Sequence, residues 1–190
     1  MKKVIKWAII IFGLLIILAL ISCNDEAKKE QPSTVSKTKE KKIESKYQNY
    51  KTLAMFDNFE SELLSLFKQL DIYYQTENSP LQDNTPRKLY KAKTVTLEVI
   101  GNPEIKEASV IFFPSPNPKE NLDSLSFSHS AFKVLCNQEN NQNKTKIFTK
   151  NLNDSIKNFT DKNFDVLPCM ITIKSGSKDF PMWVVSYVAK

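Results

Sequence analysis

The stretch TVTLEVIGNPEIKEASVIFF, Thr94 to Phe113, decides the fold class. Thr94–Ile100 alternates apolar and polar side chains, the two-residue period of a half-buried strand. Gly101-Asn102-Pro103-Glu104 has turn composition, and Ile105–Phe113 reads as the return strand. Pro114, Pro116 and Pro118 then stop the sheet, because proline has no N–H to give to a ladder. A hairpin of this kind is antiparallel and needs an apolar layer against one face.

Working outward, the same pattern returns near the C-terminus. Met170–Lys174 is a strand, Ser175-Gly176-Ser177 a turn, and Pro181–Ala189 a last strand. The apolar layer comes from helices. Phe56, Phe59, Leu63, Leu66, Phe67, Leu70 and Tyr73 recur at helical spacing, which predicts a helix over 53–75. A second helix is predicted over 119–137 with Leu122, Leu125, Phe132 and Leu135 inward, and a third over 147–160. Residues 76–93 and 137–146 read as loops. The predicted order is α-β-β-α-α-β-β: an α+β fold whose two hairpins make a four-stranded antiparallel sheet with helices packed on one face. Two helix-plus-hairpin units in one chain are similar in pattern to the repeats of beta-lactamase inhibitor proteins, a likeness of architecture that carries no function.

Charge is distributed unevenly over the 190 residues, whose formal net charge is +6. Residues 1–23 hold Lys2, Lys3 and Lys6 and no acid, residues 24–52 hold eight lysines against five acids, and residues 53–190 balance at sixteen of each. A neutral domain gives no electrostatic reason to expect a nucleic-acid partner. The only glycines are Gly13, Gly101 and Gly176, so no glycine-rich phosphate loop is present. One histidine, His129, leaves no multi-histidine metal site, and no cofactor is expected.

The chain begins MKKVIKWAIIIFGLLIILALISC. A basic start followed by a short apolar run is the pattern of a secretory signal, somewhat short for a membrane span. Leu20-Ile21-Ser22-Cys23 resembles the lipobox of bacterial lipoproteins. The resemblance covers the leader alone. It implies cleavage between Ser22 and Cys23 and a diacylglycerol on the Cys23 thiol, which would make the lipid bilayer a partner. Asn24 rather than aspartate follows the cysteine, which under the same resemblance favours the outer membrane, on its periplasmic or surface face. The expected organisation is a signal peptide at 1–22, a lipidated cysteine with a disordered lysine-rich tether at 23–52, and one globular domain at 53–190. The 29 residues of 24–52 would span about 30 Å as a coil and about 100 Å extended.

Other motifs weigh less. Cys136 and Cys169 either pair, as an oxidising compartment allows, or stand as two buried thiols. Ser130-Ala131-Phe132-Lys133 matches the S-x-x-K of penicillin-binding proteins, and Lys174-Ser175-Gly176 resembles their K-T-G. No S-D-N element lies between them, and the domain is too small for that family's two-part fold. Asp57 and Glu60 fit the first turn of a helix, where capping explains them. No catalytic residue is assigned. The expected role is a non-enzymatic envelope lipoprotein that binds another protein, of inhibitor, immunity or assembly type. The alternatives are a small envelope-acting enzyme using His129 or Ser130, or a carrier of small apolar ligands between sheet and helices.

Overall fold

A computed structural model describes residues 46–190. The leader, Ser22, Cys23 and most of the expected tether lie outside the described residues. Among the described residues, nine strands and three helices follow one another: β1 (Ala54–Met55), α1 (Phe56–Gln69), β2 (Gln75–Asn78), β3 (Arg87–Lys91), β4 (Val95–Ile100), β5 (Glu104–Ile105), β6 (Glu107–Phe112), α2 (Pro118–Cys136), α3 (Gln142–Asn158), β7 (Lys162–Val166), β8 (Cys169–Ser175) and β9 (Trp183–Ala189).

The fold is α+β, with a larger sheet than the expected four strands. Seven strands run antiparallel in the order β2-β3-β4-β6-β9-β8-β7, and β1 pairs with β5 in a separate two-stranded ladder. The four expected strands form the contiguous centre, β4-β6-β9-β8. Their alternation sets one buried face: Val95, Leu97 and Val99, then Ala108, Val110 and Phe112, then Trp183, Val185 and Tyr187, then Cys169, Ile171 and Ile173. The helical layer covers this face. Helix α2 packs on β4, β6 and β9, α3 packs on β7 and β8, and α1 packs against α2.

The added strands occupy segments whose sequences hide them. β2 (QTEN) is exposed at every residue, and in β3 (RKLYK) only Tyr90 is buried. Such edge strands carry no alternation of hydropathy; their partners' backbones recruit them. The turn between β4 and β5 needs its glycine, since Gly101 has φ of +103° and a Cβ there would sit 2.1 Å from the Glu104 carbonyl oxygen.

Helix α1 is shorter than the predicted 53–75. Leu70 caps it, Asp71 turns away at φ of 52°, and Leu70 and Tyr73, predicted inward, are exposed. In α2 the predicted inward Leu122 is exposed, while Ser124, Phe127, Ser128, Ala131 and Phe132 are buried. The serines disguise the buried stripe: the Ser124 and Ser128 hydroxyls donate to backbone carbonyls one turn back, so they enter the core without an unpaired donor. Helix α3 begins inside the predicted 137–146 loop because Asn141 acts as its N-cap, accepting from the Asn143 and Lys144 amides.

Packing also starts before the expected boundary at Leu53. Tyr47 is buried, and the Leu53 amide donates to the Ile105 carbonyl. Aromatic rings join the helices to one another, with Phe67 of α1 on Phe127 of α2 at 4.4 Å and Phe132 of α2 stacked on Phe148 of α3 at 4.3 Å between centroids.

Candidate functional site

The sequence-derived candidates scatter. Cys136 and Cys169 form a disulfide joining the end of α2 to the start of β8. His129 lies half-buried on α2 with both ring nitrogens engaged. The Leu125 carbonyl accepts from Nδ1 at 2.9 Å, which leaves Nε2 to accept from the Thr149 hydroxyl at 3.1 Å. The ring stands edge-on to Phe148. Ser130 is buried on α2 beneath the helix-covered face, whereas Lys174 lies on the opposite face of the sheet and pairs with Asp161 at 2.8 Å. The S-x-x-K and K-S-G motifs are therefore not brought together. Among the described residues, no group of three or more His, Cys, Asp or Glu side chains is placed to hold a metal ion.

Glu60 does not cap α1. Its Oε1 accepts from the Tyr90 hydroxyl at 2.7 Å and from the Lys88 ammonium at 2.5 Å. Burial works to raise its carboxyl, but these two donors outweigh it and hold Glu60 below the ordinary glutamate range. The same arrangement, with burial first and Glu60 second, pushes the Tyr90 phenol far up. Phe56, Asp57, Glu60 and Lys88 line one side of a polar cleft of about 430 Å³. Its central charges already neutralise each other.

On the other face of the sheet no helix packs among the described residues. Odd and even positions alternate between faces, so cross-strand rows run over it. The central row is Glu98, Ser109, Ser186, Thr172. Ser109 and Ser186 share a hydrogen bond of 2.8 Å. On one side of this row lie Ile111 and Val184, on the other Val188 and Met170. Ile111, Val184 and Val188 are half-buried and Met170 is exposed. The face therefore mixes hydroxyl groups with partly exposed aliphatic side chains.

Residues 46–51 run along this face. Tyr47 hydrogen-bonds to Glu107, which stands in the row beside Glu98, and the Lys46 ammonium lies 4.5 Å over the Tyr47 ring. Burial and then the Glu98 carboxylate push Glu107 above the usual glutamate range, against the opposing pull of Lys46 and Tyr47. Burial likewise raises the Tyr47 phenol. Asn49, Tyr50 and Lys51 form one wall of a groove of about 450 Å³ whose other side is Met170, Thr172, Ser186 and Val188. The sequence signal for this site was weak. Ser109, Thr172 and Ser186 are simply the polar half of each strand's alternation, and Tyr47 sits in a lysine-rich run.

Comparison with known proteins gives no relative: no family model matches the chain, and neither a curated protein nor a solved structure does.

Proposed function

We propose that this chain is a lipid-anchored envelope protein whose domain binds another protein through the helix-free face of its sheet. The observation that carries the reading is the cross-strand row of buried Ser109 with half-buried Ser186 and Thr172, flanked by Ile111, Val184, Val188 and Met170. Each of the four strands beneath it is paired on both sides, which holds its rows in register. Ser109 and Ser186 share one hydrogen bond, so one of their two hydroxyl protons is satisfied within the face and the other is left for a polar group of the partner. The anchor rests on the lipobox likeness of Leu20-Ile21-Ser22-Cys23, and under that likeness the partner would be met in the envelope or at its surface. Because a tethered binder meets its partner at high local concentration, modest intrinsic affinity suffices.

Photo-crosslinking tests the reading. A benzophenone amino acid is placed at Thr172 or Val184 on the open face, and at Lys146 or Asn153, exposed on α3. The expected result is one adduct of common mass from both sheet positions and none from the helical ones. Adducts that differ between Thr172 and Val184, or that form equally from α3, count against it.

A further inference from the structure

We propose that the exposed ring pair Phe113 and Phe180, with Lys178 and Asp179 beside it, is a contact for a second copy of this chain. This contact is separate from the proposed binding row: it lies at one end of the sheet, beyond Ile111 and Val184.

Phe180 is 64% exposed and Phe113 39%, and the two rings meet edge-on at 6.3 Å between centroids. Among the described residues this is the one aromatic contact in which both rings are exposed. Phe113 follows β6 and Phe180 lies in the turn between β8 and β9, at the end of the sheet where Phe112 pairs with Trp183. That turn is closed by hydrogen bonds of its own. The Gly176 amide donates to the Met182 carbonyl at 2.7 Å, and the Phe180 amide donates to the Ser177 carbonyl at 3.2 Å. A Cβ on Gly176 would sit 2.3 Å from the Phe180 carbonyl oxygen, so the turn closes this tightly only over glycine. The backbone thus holds an aromatic ring in an exposed place, where covering it with a second surface is favourable.

The charges name the occupant. Lys178 and Asp179 directly precede Phe180, both are exposed, and neither has an ion pair among the described residues. A two-fold axis beside Phe180 sets Lys178 of each copy opposite Asp179 of the other, so the patch is complementary to itself. A lipid surface fits less well, because the two charges cancel and leave no net attraction to anionic headgroups. The rings supply the attraction and the charges set the register. Two rings at these exposures offer roughly 200 Å² of apolar surface, against about 800 Å² per partner in a standard interface. The association is therefore weak, and its test is made in cells and not in dilute solution.

Two differently tagged copies of the full chain are co-expressed, with a benzophenone amino acid at Pro114, exposed next to Phe113. The expected adduct carries both tags and runs at twice the mass of the uncrosslinked band. Phe180→Ser is expected to lower its yield at least tenfold. Lys178→Asp and Asp179→Lys each set like charges against each other and are expected to lower it at least threefold. The double variant Lys178→Asp/Asp179→Lys restores opposite signs and is expected to return the yield to within twofold of wild type. All three positions are exposed, so every variant is expected to unfold at the wild-type midpoint. Absence of an adduct with both tags, or adducts to another protein or to lipid alone, overturns the second copy as occupant. A double variant that recovers no better than the single ones overturns the charge pairing and the two-fold contact built on it.

Discussion

Cys136, the last residue of α2, and Cys169, the first of β8, are joined with their α-carbons 5.5 Å apart, so the disulfide fastens the helical layer to the sheet. It closes a loop with a sequence separation of 33, containing the whole of α3 and β7. Chain entropy for that length gives about 3.7 kcal/mol of stabilisation. The Cys136→Ala/Cys169→Ala variant should therefore lose about 2–4 kcal/mol in urea unfolding. Wild-type protein should lose a similar amount on adding reductant, and the variant nothing further.

Glu60 gives a pH signature. Its folded-state carboxyl lies below the unfolded value, so its contribution is fully present above the unfolded pKa, near 4.3, and is lost as pH falls through the folded one. Glu60→Gln breaks the pairing with Lys88 and weakens the acceptor for Tyr90. Near neutral pH the variant should be less stable by about 1–3 kcal/mol, the cost of leaving a part-buried charged partner unpaired. The difference between the two proteins should shrink on acidification below pH 4.

Glu107 behaves in the opposite sense. Its raised carboxyl means that the ionised form is disfavoured in the folded protein. The resulting cost is fully present above the folded pKa, declines as pH falls through it and is gone below the unfolded pKa. In carbon-13 NMR titration Glu107 should titrate above Glu60 and Glu104, both held low by lysine or tyrosine donors. Glu98→Gln removes a neighbouring negative charge, so the Glu107 midpoint should move down. An unmoved midpoint would show that Glu98 is not felt at that site.

The anchor is tested by labelling. Radioactive palmitate supplied to cells should enter the wild-type protein and not Cys23→Ala, which should also keep its leader. Label persisting in Cys23→Ala removes the lipoprotein reading.

The centre of the fold was legible because hydropathy alternates strongly in TVTLEVI, IKEASVIFF, MITIK and PMWVVSYVA. All four become the middle of the sheet, where each strand has one face buried. The edges were not legible. QTEN and RKLYK become strands through hydrogen bonds to a neighbour, and backbone pairing leaves no mark on side-chain pattern. In α2 the buried stripe passes through Ser124 and Ser128, so counting apolar residues led to Leu122, which is exposed. The Tyr187 hydroxyl donates at 2.9 Å to the Ser128 carbonyl, a contact between residues 59 apart that no local window contains. The site has the same character. Ser109, Ser186 and Thr172 become one row only when β6, β9 and β8 align, and Tyr47 comes beside Glu107 from a segment whose composition reads as spacer.

The most direct measurement of the binding claim is partner capture from solubilised envelopes by the full chain, by Thr172→Arg, and by Asn153→Arg. An arginine at Thr172 puts a charge in the centre of the open face, while Asn153 is exposed on α3. The account predicts at least a tenfold loss of captured partner for Thr172→Arg and wild-type recovery for Asn153→Arg, with both variants unfolding at the wild-type midpoint. Equal capture by Thr172→Arg and wild type would contradict it.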